Sequence, residues 1–300
     1  MAVAPELIAA SPPRLSAVVV TTGSWDHLRP VIEALHPSAS DLGIEIIAVS
    51  SGESVEPTRR LPMVRYVVAP GDNVFTSRAV GAMVATGDLI ALLEDHSIPD
   101  SCWAAEVLSA WGDNPHVDAL VHSIAPSPDA GIWELALFTL TFGPFLGVSE
   151  PPRDRLPVPG HVSFRRSLLP PTTPLPGWLE YELLGRLVAD ERIAMTTTTT
   201  SIHVQPVRWR ALLMSFHSGR VYAGSRFDDA MRTRVGELRR LRTELPVVWR
   251  QTLAARRRSN GGLLGRRCST CLAALVVSNG MGQLVGIASR GVGASASQLE

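Results

Sequence analysis

Five short runs of β-branched and aliphatic residues are separated by segments of helical length: LSAVVVTT at 15–22, IEIIAVSS at 44–51, VRYVVAP at 64–70, LIALLED at 89–95 and VDALVHS at 117–123. Strands alternating with helices close into a mostly parallel sheet covered by helices. Buried on both faces, such strands read as unbroken apolar runs. The intervening segments fit: DHLRPVIEALH opens near Asp26, a suitable N-cap, NVFTSRAVGAMVATG closes at Gly87, and SCWAAEVLSAWG runs from Ser101 to Gly112. An α/β fold is therefore expected over roughly the first 125 residues.

The fourth run leads directly into Glu94, Asp95 and His96. In an open α/β sheet ligands settle outside the carboxyl ends of the strands, so three oxygen and nitrogen donors stand where a site is expected. Carboxylates suit magnesium and manganese, and imidazole is tolerated by the softer of the two. A solvated acidic turn is the plainer alternative.

At 300 residues and 45% hydrophobic composition, the chain can bury a substantial core. The zero net charge hides a division. Residues 1–200 carry 12 Arg against 23 acidic residues, and residues 201–300 carry 16 against 5. A basic tail on an acidic body suggests an anionic partner for the tail, such as a lipid surface or a polyphosphate, or packing of one half on the other. Cys102, Cys268 and Cys271 are too few for a disulfide framework, which points to a reducing cytosol. The first residues have neither a basic start nor a long apolar core, so no secretory signal is expected. No P-loop, nucleophile-elbow, zincin or dinucleotide-binding motif occurs. The Arg-rich tail lacks interleaved aromatics beyond Trp249, which argues against nucleic acid.

Beyond residue 125 the pattern loosens. Residues 143–177 are dense in Pro and Gly around an isolated strand near HVSFRR, as expected of loops that serve a site. WLEYELLGRLVA reads as a helix, and the five threonines at 196–200 favour extension. From Asp228 a basic amphipathic helix is expected, with Met231, Val235, Leu238, Leu241 and Leu245 on one face and Pro246 kinking or ending it. The uncharged stretch 268–289 is long enough to cross a bilayer. Asn279, Gln283 and its small residues instead favour an interfacial or protein-packed hairpin of helices.

Taken in order, these pieces resemble the family 2 glycosyltransferases with the GT-A fold over about residues 14–226. VVVTT resembles the family's first strand, and GDNVFTSRAVG its G-x-N-x-x-x-A-R-N-x-G segment, with Gly71, Asn73, Arg78 and Gly81 matching and Ser77 and Ala79 departing. TGDLIALLEDHSIPDSCW resembles the acidic metal-binding segment with its following proline and tryptophan, Glu94-Asp95-His96 standing at the triplet. GHVSFRRSLL resembles the acceptor-side strand, and LEYELLGRL the E-D-x-E-L-x-x-R-L helix start, with Glu180 on the motif's Asp.

The resemblance implies a fold and a set of roles. The fold is a GT-A type α/β domain, a mostly parallel sheet flanked by helices, with a C-terminal helical extension. A flexible N-terminus (1–13) precedes the transferase domain (14–226), whose nucleotide-binding half is 14–125 and acceptor-binding half 126–226; a basic, membrane-associating tail follows (227–300). Thr21, Thr22, Ser50, Asn73, Arg78, Glu94 and Asp95 are expected around the nucleotide sugar. Asp95, His96 and His203 are expected on a Mn2+ or Mg2+ ion, and His161, Ser163, Trp178 and Glu182 on the acceptor side. Glu180 is the expected general base, with Glu182 as its substitute. Arg78 is expected on a phosphate or carboxylate, or in a structural ion pair with Asp88 or Asp95. Ser50 and Ser51 replace the acidic or amide pair that usually reads the base, so the donor need not be a UDP-sugar.

The expected activity is transfer of a sugar from a nucleotide-diphosphate donor to a hydroxyl, inverting and metal-dependent, in glycan, polysaccharide or glycolipid assembly. The expected location is the cytoplasm, peripheral on the inner membrane face through residues 228–290. The alternatives are a non-catalytic scaffold or sugar-binding relative, and a sugar-phosphate nucleotidyltransferase.

Overall fold

The structure, a computed structural model, describes residues 14–51, 60–71, 73–146, 148, 150, 152, 157–172, 178–204, 209–224, 233–258 and 266–290. In chain order the elements are β1 (Leu15–Thr21), α1 (Trp25–Leu42), β2 (Glu45–Ser51), β3 (Val64–Ala69), α2 (Val74–Val84), β4 (Leu89–Glu94), β5 (Ser97–Pro99), α3 (Trp103–Asp113), β6 (Ala119–Pro126), α4 (Ile132–Phe142), β7 (Val162–Arg165), α5 (Leu184–Ala189), β8 (Ile193–His203), α6 (Trp209–Gly224), α7 (Arg234–Arg258) and α8 (Arg266–Ser289). The strands form one sheet in the order β3-β2-β1-β4-β7-β6-β8-β5. Pairing is parallel from β3 through β4 and between β6 and β8, and antiparallel where β7 joins β4 and β6 and where β5 joins β8. This is the α/β architecture expected, with antiparallel pairings confined to the second half.

The apolar runs are buried because each strand is covered on both faces. β1 and β4 are buried along their whole length. Val18, Val20, Ile90 and Leu92 pack under α2 and α5, while Ala17, Val19, Leu89 and Leu93 pack under α1 and α3 with Leu28, Leu35, Trp103 and Trp111. The alternation of the strand sends successive residues to opposite cores.

Several elements depart from the sequence reading. Ser24, not Asp26, is the N-cap of α1, and Asp26 pairs with Arg29 in the first turn at 2.8 Å. The helix continues past Pro37 to Leu42 because Ala39 beyond the proline is packed in the core. α4 falls between residues 125 and 143, where the sequence reading placed no element; its residues are apolar nearly all round, so no amphipathic period marks it. α7 runs through Pro246, which is exposed, while Leu241 before it and Trp249 after it pack against neighbouring helices. Residues 266–289 form one helix packed on α4, α6 and α7 in place of a hairpin.

Candidate active site

Two strand ends and one long-range pairing assemble the site. Parallel β1 and β4 run in register, Val20 opposite Glu94, so Thr21 and Asp95 emerge together at the carboxyl edge. Thr21 Oγ1 donates to Asp95 Oδ2 at 2.6 Å and accepts from the Gly23 amide at 2.9 Å. The chain then turns through His96 into β5, whose Ser97 pairs with His203 at the end of β8. That antiparallel register brings a second imidazole beside the first, the rings meeting edge to face with centroids 4.4 Å apart.

Glu94 is the centre of the constellation. One carboxylate oxygen, Oε1, accepts from Arg78 of α2 at 2.6 Å, and the other, Oε2, lies 3.2 Å from His203 Nε2 and 3.4 Å from His96 Nε2. The structural partner of Arg78 is thus Glu94 rather than Asp88 or Asp95. Burial works to raise the Glu94 carboxyl, but the His203 hydrogen bond, the Arg78 guanidinium and the imidazoles hold it well below the usual carboxylate range. Burial likewise pushes His203 down to about 4 against the pull of Glu94, so its ring is neutral at physiological pH.

The donor set fits a divalent ion. Glu94, His96 and His203 each offer one atom, all within 4.8 Å of one another. Asp95 Oδ1 lies 2.7 Å from His96 Nδ1, so a neutral His96 carries its proton there and turns a bare Nε2 lone pair toward Glu94 Oε2. A proton on Nε2 or a cation against both atoms satisfies that 3.4 Å contact. One carboxylate with two imidazoles suits a first-row transition ion better than magnesium. That cluster takes in Glu94, expected around the nucleotide sugar, while Asp95, expected among the ligands, contacts Thr21 and His96 Nδ1.

The other expected site residues fall into three groups. Thr21, Thr22 and Ser50 gather at the carboxyl ends of β1 and β2, with Ser50 opposite Thr21 and its hydroxyl 3.4 Å from the Gly23 carbonyl. Asn73 is spent on local structure, its side chain capping α2 through the Phe75 amide at 2.9 Å. On the acceptor side, Ser163 is fully buried and accepts from Trp111 Nε1 at 2.8 Å, with His122 Nε2 at the same distance, so it belongs to the core under α3. His161 is buried between Ser97 and Ser201, each 3.4 Å away, and backs His203 with ring centroids 5.3 Å apart. Burial, and then the adjoining His203, hold it well below the ordinary imidazole range. Trp178, Glu180 and Glu182 occupy a wide helical turn, Trp178–Leu183; Glu182 is exposed, and the side chains of Trp178 and Glu180 lie outside the described residues.

Three contributors went unread in the sequence. Gly160 crosses the Glu94 carboxylate so closely that a Cβ there would stand 2.5 Å from Cδ. Phe142 packs on His161 and His203, with centroids 5.2 and 4.8 Å away. His27 Nδ1 lies 4.0 Å from Asp95 Oδ2 at the start of α1. Gly160 adjoins the expected His161 and was within reach of the sequence; nothing local marks Phe142.

The chain is similar to the crystal structure of S. aureus TarS (TM-score 0.47, 12% identity, covering 68% of this chain and 38% of that one). It is also similar to S. aureus TarS 1-349 in complex with UDP-GlcNAc (0.45, 11%, 65% and 59%) and to a mycobacterial protein (0.45, 17%, 68% and 72%). The chain thus spans less than two thirds of the length of the first two. No curated protein matches. The sequence profile described as glycosyl transferase family 2 matches residues 16–170, just over half of the 300-residue chain and the part that carries Thr21, Arg78 and the Glu94-Asp95-His96 turn. The chain belongs to glycosyl transferase family 2.

Proposed function

We propose that this enzyme transfers a sugar from a nucleotide-diphosphate donor to an acceptor hydroxyl with inversion, using a divalent ion, manganese in preference to magnesium, held by Glu94, His96 and His203. The observation that carries the reading is the convergence of those three donors on one point at the carboxyl edge of the sheet. Such an ion, when bound, supplies positive charge toward the departing diphosphate. Asp95 fixes the His96 ring, and Arg78 neutralises the buried Glu94 on its far side. Thr21, Thr22 and Ser50 line the edge on which the nucleoside rests, with hydroxyls in place of acidic base-reading groups.

Inversion requires one base to take the acceptor proton as its oxygen attacks the anomeric carbon and the bond to the diphosphate breaks. Glu180 is assigned that role, with Trp178 offering an apolar face to a sugar ring. Support comes from the buried Leu179 and Leu183, which pack the turn bearing Glu180 into the same core as Val74 and Phe75 of α2, the helix that carries Arg78. On the same reading residues 228–290 hold the enzyme to an anionic surface at the inner face of the membrane, where a glycan or lipid-linked acceptor is presented.

The test is donor turnover with a panel of nucleotide sugars and manganese, read as nucleoside diphosphate released. Glu180→Gln is expected to lose turnover by about a hundredfold or more while thermal shifts by donor and manganese persist. Unchanged turnover overturns the assignment of Glu180, and release of pyrophosphate from a nucleoside triphosphate overturns the reaction.

A further inference from the structure

α8 is apolar on two faces, one buried and one exposed. Leu272 and Leu275 are buried with Ala136 and Leu137 of α4, and Ile287 is buried with Ala223 of α6 and Leu241 of α7. The contact with α6 is backbone on backbone: a Cβ on Gly282 would meet the Phe216 carbonyl oxygen at 1.9 Å, and one on Gly219 would meet that of Asn279 at 2.1 Å. Ser215 and Ser278 hydroxyls bridge the pair, each donating at 2.8 Å to a carbonyl of the other helix. On the opposite face Val277, Met281, Leu284 and Val285 recur at helical spacing and are 62%, 57%, 48% and 39% exposed.

Charge brackets this outward stripe. The helix contains neither Asp nor Glu. It opens at Arg266 and Arg267, and at its far end stand the exposed Arg290 and Arg234 of α7, whose guanidinium donates to the Ala288 carbonyl at 2.9 Å. We infer that the outward face of α8 lies in the plane of an anionic bilayer surface, its four apolar side chains at the acyl boundary and the bracketing arginines among the phosphates. The inference rests on the proposed attachment of residues 228–290 to such a surface, and adds which face makes the contact and that the helix does not cross.

Charge and packing select this occupant. A second copy pairing α8 on α8 along its length would bring like charge together in either orientation, because the sequence is basic at both ends of the helix. Crossing the bilayer would require α8 to leave α6, exposing the glycine seam and turning Asn279 and Gln283 toward lipid; these side chains now bond the Ser215 carbonyl and each other. With one face held by protein, an exposed apolar stripe and arginine near the helix end can meet the acyl boundary and the phosphates of an anionic surface together.

The experiment is co-sedimentation of the full chain with phosphatidylcholine vesicles, with and without about one third phosphatidylglycerol, over a salt series. Binding is expected only to the anionic vesicles, is released by high salt, and falls roughly tenfold or more in Val277→Glu/Met281→Glu. Both positions are exposed, so the melting temperature is expected to hold; if it falls, Val277→Ser/Met281→Ser, with its smaller perturbation, is read in its place. Failure of the unaltered chain to bind overturns the attachment itself. Equal binding by chain and variant overturns the assigned face alone. Retention through high salt, with release only by detergent, overturns the in-plane orientation. Sedimentation velocity completes the test: a dimer that the glutamates dissociate, in a chain that ignores vesicles, assigns the stripe to a second copy and overturns the inference.

Discussion

His203 Nε2 stands 3.2 Å from Glu94 Oε2 although 109 residues separate them in sequence. The meeting depends on β5, a three-residue strand whose Ser97 pairs with His203. The sheet fixes both partners, so under the proposed metal role the donor group needs little rearrangement to accept a cation.

Manganese is expected to raise the melting temperature of the protein, and a chelator to reverse the rise. At about a hundredfold excess over the dissociation constant, binding adds roughly 2.7 kcal/mol. For a 300-residue chain that is a shift of roughly 4 °C. Glu94→Gln and His203→Ala each remove one of three donors and are expected to abolish the shift; magnesium is expected to give a smaller one. A full manganese shift in both variants would place the ion elsewhere.

Asp95→Asn tests the support behind the donors. Asp95 offers one oxygen to Thr21 and the other to His96; Asn keeps a single acceptor oxygen and loses the charge that fixes the proton on His96 Nδ1. Substitutions of this kind weaken metal affinity about 10- to 100-fold. Calorimetric titration with manganese reads the loss directly, and an affinity equal to that of the unaltered chain would mean that another contact orients His96.

The two carboxylates also mark where the sequence stopped being legible. The apolar run of β4 identifies the strand and the acidic triplet identifies its exit, so the α/β fold and the place of the candidate site are legible in the sequence, and the family resemblance supplies the GT-A type. Which acid turns inward depends on where the strand ends. β4 includes Glu94, sending it toward Arg78 and the imidazoles, while Asp95 faces Thr21, and no local pattern settles that one-residue question. β5 is too short to carry a period, and α4 is too uniformly apolar to show one. α7 outlasts Pro246 because its packing on other helices lies on both sides of the proline, a tertiary fact absent from the segment itself.

Arg78→Met is expected to be costly because it strands a buried carboxylate. Breaking a buried pair from one side typically costs roughly 3 to 5 kcal/mol. Urea unfolding without metal should show that loss, and Arg78→Met/Glu94→Gln should recover most of it because no charge then needs a partner. Added manganese should narrow the cost of the single variant, since the ion neutralises Glu94 from the other side. A double variant as unstable as the single one would show that Arg78 acts through packing and not through charge.

His122 is expected to give the fold a pH dependence separate from the Glu94, His96 and His203 cluster. The ring is buried under Trp103 against the Ser163 hydroxyl, and burial lowers its pKa to about 3. Between that value and the ordinary 6.5 the unfolded chain binds a proton that the folded chain refuses. Its contribution is therefore present in full above pH 6.5 and is lost as pH falls, by about 1.4 kcal/mol per unit. Many groups titrate in the same window, so the measured quantity is a difference of slopes. His122→Gln keeps a donor for Ser163 without a titrating ring, and unfolding free energies between pH 7.5 and 5.5 should fall less steeply in the variant by about that amount per unit below 6.5. Parallel slopes would mean that the folded protein admits the proton at His122.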